Sequence, residues 1–482
     1  MKTVKISSFL RERKIKLKPQ AANCSGLQRI EKIDFSGKIY LSPVQTNTDM
    51  ILVKSGDLVI SGINVEKGAL AIYTGEEDVL ASIHYSAYEF DAEKIDIDYL
   101  KWFLKSNIFR KLLLKQTGSG IKKEIKAKHL LPIEIHLPSL NRQHEIVRQI
   151  QGVADYIEEV NQQIQQQAKY AEMLRQSILQ QAVEGKLCEQ DPNDEPASVL
   201  LEKIKAEKER LIAEKKIKKQ KPLPPISEEE KTFDLPKGWE WCRLGELVTS
   251  VTDGPHYSPE YHDKGIPFIS GRNITLKGID FSTAKFISPQ LHEELSKRCR
   301  PETGDILYTK GGETGKAVVN DIDFEFNVWV HVAVLKPSTF VYNKYLALAL
   351  NSPHCYALSQ KYTHGTGNRD LGLTRMIKIT VPLPPANEQQ RIVQRVTKLM
   401  GQCNLLEREL SISKKYASQL MESVLQEAFS VQEATKSAQV IEFHPDQTTP
   451  ETELLAAARG KIREDTWEHL CKRALEIAGE EG

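Results

Sequence analysis

The feature that most constrains the fold is an internal repeat in which matching residues are 246 positions apart. Segment 137–147 matches segment 383–393, and the match continues without a gap to Ala182 and Ala428. Loops change length between the copies of a repeat, whereas a rigid element keeps its length. The sequence therefore predicts the same rigid element twice in one chain.

The repeated element is predicted to be a long helix, because seam positions recur in steps that alternate between four and three. This period of 3.5 residues is typical of a coiled-coil seam. The first seam comprises Ile146, Ile150, Val153, Ile157, Val160, Ile164, Gln167, Ala171, Leu174 and Ile178. The second comprises Ile392, Val396, Leu399, Cys403, Leu406, Leu410, Ser413, Ala417, Leu420 and Val424. Asn141 and Asn387 are the predicted N-caps, and Gly185 is the predicted stop of the first helix.

A helix of about forty residues is roughly 60 Å long and cannot bury its apolar stripe alone. The nearest partner is the other copy in the same chain. The alternative is two unrelated surface helices that each pack on their own domain. A helix facing a globular core follows a 3.6-residue period with a wider stripe, so the seam favours pairing.

A globular unit is predicted before each helix. Gly56-Asp57 resembles Gly304-Asp305, and Thr117-Gly118 resembles Thr366-Gly367, which indicates similar scaffolds with different surfaces. Between the two halves, 197–221 is predicted to be a charged helix that ends at the prolines of 222–225.

Composition limits the class of protein. Hydrophobic residues make up 40% and charged residues 27%, as in globular proteins, and no apolar run is long enough to cross a membrane. The seven scattered cysteines form no C-x-x-C pair, which favours reduced thiols in a cytoplasm over a disulfide framework or a zinc site. The motifs of nucleotide binding, metalloproteases and serine hydrolases are missing, which favours a protein that is not an enzyme.

Several segments resemble one known family. Segment 383–393, Leu-Pro-Pro-Ala-Asn-Glu-Gln-Gln-Arg-Ile-Val, resembles the hallmark start of the conserved helices of Type I restriction–modification specificity subunits. Leu235-Pro236-Lys237-Gly238-Trp239 resembles the usual opening of a target-recognition domain of that family. Segments 252–256, 266–274 and 304–308 are also similar to family patterns. The resemblance covers about residues 4–429, and the first domain lacks the two opening motifs.

The resemblance implies an α+β fold in which two mixed α/β target-recognition domains are joined by a pair of long antiparallel coiled-coil helices, with an internal pseudo-two-fold repeat. The predicted domains are recognition domain 1 (1–140), helix 1 (141–185), a charged and proline-rich linker (186–235), recognition domain 2 (236–386), helix 2 (387–430) and a partly helical tail (431–482).

The resemblance also implies a function. Each recognition domain would read one half of a bipartite, asymmetric site in double-stranded DNA, and the helices would set the spacing and dock two methyltransferase subunits. Restriction and translocase subunits would complete a cytoplasmic complex without membrane contact. S-adenosylmethionine, ATP and Mg²⁺ would bind to the partner subunits, and this chain would bind no cofactor or metal and have no catalytic residue.

Candidate DNA contacts follow from side-chain chemistry. Lysine and arginine neutralise phosphates, and arginine and asparagine can form paired hydrogen bonds to base edges. The predicted contacts are Lys115, Ser119, Lys122, Lys123, Lys126, His256, Tyr257, Arg272, Asn273, Lys310, Lys316, Asn368, Arg369 and Arg375. The alternative for these clusters is a solvated charged face.

Segment 310–317 resembles a phosphate-binding loop, but lysine stands at its first position and alanine at its last. It is predicted either to cradle a DNA phosphate or to form a tight turn between strands. Two other functions remain open from the sequence: a DNA-modifying enzyme with an unrecognised site, and a coiled-coil adaptor that binds protein partners.

Overall fold

The computed structural model describes residues 2–43, 45–64, 67–117, 124–367 and 369–430. These residues divide into two compact units. Unit 1 contains residues up to 167 together with those from 409 onward, and unit 2 contains residues 168–408. The predicted helical tail, 431–482, lies outside the described residues.

Unit 1 combines sheets with short helices. Its strands are β1 (Lys2–Lys5), β2 (Leu10–Glu12), β3 (Lys16–Leu17), β4 (Gln28–Ile33), β5 (Ile39–Pro43), β6 (Met50–Val53), β7 (Leu58–Ser61), β8 (Leu70–Ile72), β9 (Val79–Ser82), β10 (Tyr85–Phe90) and β11 (Glu134–Leu137). Its short helices are α1 (Pro19–Asn23), α2 (Ile97–Lys105), α3 (Asn107–Thr117) and α4 (Ala127–Leu130). The long helix α5 (Leu140–Val183) begins in this unit.

Unit 2 has the same mixed composition. Its helices are α6 (Ala197–Ala213), α7 (Leu244–Leu247), α8 (Pro289–Ser296), α9 (Asn343–Leu350), α10 (Pro353–Tyr362), α11 (Leu373–Met376) and the first part of α12 (Ala386–Phe429). Its strands are β12 (Glu240–Arg243), β13 (Val248–Asp253), β14 (Ile266–Ile269), β15 (Ile274–Thr275), β16 (Gly278–Ile279), β17 (Lys285–Ile287), β18 (Ile306–Thr309), β19 (Ala317–Val319), β20 (Asn327–Val328), β21 (Val332–Pro337) and β22 (Thr380–Leu383).

The sheets of the two units share one topology. The order β2-β10-β7-β8 in unit 1 corresponds to β13-β21-β18-β19 in unit 2, and the pair β1-β11 corresponds to β12-β22. Each unit also has a sheet with one parallel pair, β4 with β9 and β14 with β20. Unit 1 extends this sheet by β6 and β3. The predicted similarity of the two scaffolds is therefore confirmed, and it includes strands that share no sequence signal.

The offset of 246 positions extends beyond the long helices. It relates α2 to α9, α3 to α10, α4 to α11 and β11 to β22. Ser106 and Ser352, both buried, occupy the same position before α3 and α10 and make the same hydrogen bonds. By the same offset, Thr117 is equivalent to Thr363. The predicted match of Thr117 with Thr366 is therefore wrong by three positions.

The two long predicted helices are present, but each begins one residue before the asparagine expected to cap it. Asn141 and Asn387 therefore lie inside the first turn, and the N-cap prediction is wrong. The backbone carbonyls of Ser139 and Pro385 accept the first hydrogen bonds, from the N–H groups of Gln143 and Gln389. Proline fixes φ near the helical value, so the chain enters α12 directly from a proline.

Most side chains of the two predicted seams are buried or partly buried. Their buried members include Ile146, Ile150, Ile157, Ala171, Ile178, Ile392, Val396, Leu399, Cys403, Leu410 and Ala417. Their partly buried members include Val153, Val160, Ile164, Gln167, Leu174, Leu406 and Val424. Ser413 and Leu420 are exposed, Leu420 by 44%, so the 3.5-residue period fails near the end of α12. The buried face there passes through Met421, Leu425 and Phe429, because α12 contacts a wider globular core than a single partner helix offers.

Each unit joins segments of both long helices in one core. In unit 1, Ile146 and Ile150 of α5 share a core with Leu425 and Phe429 of α12. In unit 2, Ile178 of α5 shares a core with several residues of α12, which are Ile392, Val396, Leu399 and Cys403.

Polar contacts give the direction of the two helices in unit 2. The guanidinium of Arg175 contacts Asn404 at 2.6 Å and Glu407 at 2.9 Å. Gln190, which follows α5, donates to Glu388 in the first turn of α12 at 3.1 Å. Contacts further along α5 thus meet earlier residues of α12, so the helices run antiparallel.

The end of α5 and the segment after it form a defined helix stop and a second helix that packs in the core of unit 2. Gly185 has φ +69°, and the Lys186 N–H donates to the Gln181 carbonyl, so the predicted helix stop is confirmed. The next helix, α6, ends at Ala213 rather than at the prolines of 222–225. Its residues Leu200 and Ile204 lie in the core of unit 2, so the predicted helix within 186–235 packs against the globular unit.

Candidate nucleic-acid interface

Asp253, at the end of β13, gathers three basic side chains. It is 3% exposed, and its carboxylate lies 2.6 Å from Arg298 Nη2, 3.3 Å from His256 Nε2 and 3.4 Å from Lys310 Nζ. A Cβ atom on the next residue, Gly254, would lie 1.8 Å from the Val328 carbonyl oxygen, so glycine is required there. The Thr-Asp-Gly-Pro-His segment is therefore a turn whose buried carboxylate holds the neighbouring basic side chains in place.

Lys310 follows β18 and is an internal ion-pair partner. Its side chain is only 4% exposed, and its ammonium lies 2.8 Å from Asp370 Oδ1 and 3.2 Å from the Val330 carbonyl oxygen, besides Asp253. The contact of Lys310 with DNA stays a prediction, and in this structure the ammonium is paired inside the protein. The lysine joins the Asp253 turn to the loop that carries Asp370, because a buried ammonium needs nearby acceptors.

Residues 310–316 connect the antiparallel strands β18 and β19. Gly312 and Gly315 adopt φ values of +71° and +97°, and Lys316 pairs with Glu313 at 2.8 Å. Of the two alternatives predicted for this segment, the turn between strands matches the structure. Lys316 remains partly exposed.

The loop 364–375, which we call the carboxylate loop of unit 2, is held by Asp370 and Arg375. Arg375 donates from Nε to the Tyr362 carbonyl at 2.9 Å and from Nη2 to the Asp370 carbonyl at 2.8 Å. Its guanidinium thus stabilises the loop, although it was predicted to contact DNA. Arg369 is exposed, and its Nη2 donates to Gln360 Oε1 at 2.6 Å. Asn368 lies outside the described residues.

Asn273 and Arg272 are neighbours with opposite environments. Asn273 is 1% exposed, and its Nδ2 donates to the Asp280 carbonyl at 2.8 Å while its Oδ1 accepts the Ser270 N–H at 2.9 Å. Both ends of its amide are hydrogen-bonded within the protein, and the reading of a base by Asn273 stays a prediction. Arg272 is exposed, and the adjacent Gly271 lies against Gly311 and His331.

An aromatic pair lies beside these loops. The rings of Trp329 and His331 are stacked with centroids 4.5 Å apart, and Trp329 Nε1 donates to the Tyr257 carbonyl at 3.2 Å. Burial and the nearby Lys310 ammonium lower the pKa of His331, which favours the neutral ring. Tyr257 itself is 53% exposed. Among the described candidates of unit 2, four are exposed: His256, Tyr257, Arg272 and Arg369.

Unit 1 repeats this arrangement with other side chains. The Gly62 N–H donates to the His84 carbonyl, and the Ile125 N–H donates to the Gly62 carbonyl. Lys310 makes the same two backbone bonds in unit 2, with His331 and Leu371.

A carboxylate therefore occupies the same position in each unit, Glu124 in unit 1 and Asp370 in unit 2, which are 246 positions apart. Glu124 pairs with His84 at 3.0 Å and with Lys126 at 3.2 Å. We call residues 124–129 the carboxylate loop of unit 1. This residue pair is not among the predicted contacts, although the offset of 246 positions, continued past the helices, relates the two residues.

The remaining candidates of unit 1 are less fixed by the fold. Lys115, near the end of α3, is exposed, and the Lys126 side chain is half-exposed. Ser119, Lys122 and Lys123 lie outside the described residues. Within the described ranges, no three His, Cys, Asp or Glu side chains come together in a way that could hold a metal ion. No helix in the described part of the chain is long and apolar enough to cross a membrane.

Comparisons with known proteins agree with this architecture. Residues 236–413 match the family described as Type I restriction modification DNA specificity domain. The chain is 32% identical over 255 residues to the Type I restriction enzyme EcoAI specificity subunit of Escherichia coli, a match that covers 52% of this chain and 43% of that protein. It is 35% identical over 266 residues to the EcoEI specificity subunit of Escherichia coli, covering 53% and 44%. The matched regions thus span less than half the length of these relatives.

A solved structure from a study of complex assembly and conformational transition of the type I R-M system has the same fold. It superposes with a TM-score of 0.63 at 17% identity and covers 89% of this chain and 97% of that chain.

Proposed function

We propose that this chain is a specificity subunit of a Type I restriction–modification system, because residues 236–413 match the DNA specificity domain of that family, and that it reads a bipartite DNA site with two separate faces. One face is the carboxylate loop of unit 1 with its neighbours. The other is the carboxylate loop of unit 2 with the Asp253 turn.

The observation that carries the proposal is the recurrence of one scaffold with different side chains at equivalent positions. Glu124 of unit 1 and Asp370 of unit 2 lie in equivalent loops. Around them the side chains differ: Gly62 of unit 1 is replaced by Lys310 in unit 2, and His129 is replaced by Arg375. The backbone framework is thus constant, while the chemistry near it changes. Two readers of one duplex that recognise different half-sites need this combination, because base edges are distinguished by donor and acceptor patterns.

The long helices supply the second part of the proposal. Their antiparallel direction in unit 2 and the cores they share in both units support a role in setting the distance between half-sites. Half-site spacing is a geometric consequence of how a two-headed protein holds its readers. Methyltransferase subunits, two in number, would dock on the helices, and restriction subunits would join them.

Catalysis would belong to those partners. S-adenosylmethionine, ATP and Mg²⁺ would bind there, and this chain would act in the cytoplasm as a non-catalytic recognition subunit. The proposal makes a direct test possible: the purified chain incubated alone with DNA and S-adenosylmethionine should transfer no methyl groups. Methylation should appear when the methyltransferase partner is added. Transfer by the chain alone would instead favour an unrecognised active site.

The decisive experiment maps methylated adenines in DNA treated with the reconstituted methyltransferase complex. We expect a two-part sequence with a fixed gap. Exchanging Arg272 and Arg369 for alanine should then weaken selectivity at one half of the site and leave the other half unchanged, because both side chains belong to unit 2. Lys218→Ala, at an exposed position that follows α6, is the matched control. Loss of selectivity at both halves together would contradict the assignment of one reader to each unit.

A further inference from the structure

We infer that Gln143 and Gln389 are positioning residues that fix each reading domain to its long helix and thereby set the tolerance of the gap between half-sites. The inference rests on the proposed function and adds to it the residues that make the spacing rigid. Both glutamines lie in the first turn of a long helix, 246 positions apart, and both are 0% exposed.

In unit 1 the carboxamide of Gln143 connects three segments. Its Nε2 donates to the Pro138 carbonyl and to the Lys94 carbonyl, both at 2.9 Å. Its Oε1 accepts the Asp96 N–H at 2.8 Å. Asp96 is the N-cap of α2, so the glutamine joins the start of α5, the end of β11 and the start of α2.

In unit 2 the carboxamide of Gln389 repeats this arrangement. Its Nε2 donates to the Pro384 carbonyl at 3.0 Å, and its Oε1 accepts the Tyr342 N–H at 2.9 Å. Tyr342 is the N-cap of α9, the counterpart of α2. The same residue type therefore makes the same bridge at the same position of both units, although Asp96 and Tyr342 differ in chemistry.

The ends of the long helices also pack in the cores that contain these short helices. Phe429, the last residue of α12, lies against the ring of Tyr99 in α2, with centroids 5.2 Å apart. Val183, the last residue of α5, shares a core with Tyr345 of α9. In each unit, the short helix is thus bonded to the start of one long helix and shares a core with the end of the other.

This arrangement predicts a specific loss when the carboxamide is removed. Without the carboxamide, the start of each long helix loses its hydrogen bond to the start of α2 or α9, and the domain could rock against the helix within the core that they share. One additional base pair moves a half-site by about 3.4 Å and rotates it by about a tenth of a turn. Discrimination against such a change needs a rigid joint, whereas reading the bases within one half-site does not.

The test uses the chain in complex with its methyltransferase partner. Duplexes carry the mapped site with its natural gap, or with one base pair more or fewer, and the rate of methyl transfer is measured for each. Gln143→Met and Gln389→Met keep most of the side-chain volume but lack the carboxamide. We expect the preference for the natural gap to fall at least tenfold in each variant, with selectivity within each half-site unchanged.

The matched controls are Gln151→Met and Gln390→Met, which alter exposed glutamines of the same helices and should keep the wild-type preference. An unchanged gap preference in the Gln143 and Gln389 variants, with only a lower melting temperature, would overturn the inference and leave a merely structural role. If the methionine variants do not fold, Gln389→Glu keeps the acceptor for the Tyr342 N–H and is measured in the same way.

A measurement on the wild-type chain provides an independent check. The Asp96 and Tyr342 amide protons should exchange with solvent as slowly as those in the core of their units, and rapid exchange would overturn the inference. A wild-type complex that reads no two-part site would refute the proposed function itself. A complex that reads such a site while the variants keep its gap would refute only the role of the glutamines.

Discussion

Replacing Lys310 with methionine removes the ammonium group that stands between Asp253 and Asp370. Removing one partner of a buried ion pair costs about 3–5 kcal/mol when the remaining charge is left without compensation. Asp253 keeps Arg298 at 2.6 Å, and Asp370 is half-exposed and keeps Arg375 at 3.3 Å. The compensation reduces the expected loss to about 2–3 kcal/mol, which is roughly a 30- to 150-fold change in the unfolding equilibrium.

Urea denaturation of the Lys310→Met variant measures this loss. The double variant with Asp253→Asn should recover part of it, because the second change removes the buried charge that the first leaves behind. DNA binding by the methyltransferase complex at several salt concentrations supplies the other half of the test. A lysine bound to a phosphate contributes about 0.9 to the slope of log affinity against log salt.

We expect the slope of the Lys310→Met variant to equal that of the wild type, because the ammonium is used inside the protein. The Arg369→Ala variant, which removes an exposed cation, is the comparison in which a smaller slope is expected. A slope reduced by about 0.9 in the Lys310→Met variant, together with unchanged stability, would refute the structural role of Lys310.

Two further predictions concern the framework of unit 2. Gly185→Ala should lower the free energy of unfolding by more than about 1 kcal/mol in urea titrations. The position has φ +69°, and a Cβ there would lie 2.3 Å from Pro236. Equal stability of the variant and the wild type would contradict the required left-handed turn. Hydrogen bonding to Arg243 lowers the pKa of Glu230 to about 2 from a usual 4.5, so its stabilisation is present above pH 4.5 and is lost as the pH falls toward 2. Thermal unfolding between pH 6 and pH 2 should therefore show a shallower decline for Glu230→Gln than for the wild type, and parallel curves would show that the ion pair adds no stability.

The sequence was sufficient for the architecture because rigid elements preserve their spacing. The gap-free offset and the 3.5-residue period predicted two long paired helices, and both are present as α5 and α12. Two seam positions of α12 are exposed, Ser413 and Leu420, and beyond them α12 meets a wider core. When the apolar face of a helix packs first against one helix and then against a globular core, the spacing of its buried residues changes. The composition of the helix need not change.

The candidate site was less predictable, because exposure is decided by tertiary contacts. Arg272 and Asn273 are adjacent and have similar hydrogen-bonding capacity, yet only Arg272 is exposed, since the turn at 271–273 directs the asparagine inward. Lys310 precedes two glycines and looks like part of an open loop. Its partners Asp253 and Asp370 are distant in the chain, so the buried ion pair has no local signal.

The opening motif Leu-Pro-Lys-Gly-Trp also has a structural meaning that the family resemblance alone did not supply. Trp239 is buried, and its Nε1 donates to Glu388 in the first turn of α12 at 2.9 Å. Burial raises the pKa of Glu388. The corresponding position in α5 is Arg142, which is exposed. The tryptophan of the motif thus pairs with a glutamate that α12 has and α5 lacks. This difference explains why the first domain can lack the motif.

The lysine-rich stretch 214–221, exposed over most of its length, offers trypsin an accessible cleavage site. Both flanks are anchored within unit 2: Leu200 and Ile204 are buried on one side, and Arg243 donates to the carbonyls of Pro224 and Pro225 on the other. A chain cut in this stretch should therefore migrate as two fragments under denaturing conditions but as one particle in native gel filtration. The same stretch is where the polypeptide could be expressed as two separate pieces that reassemble.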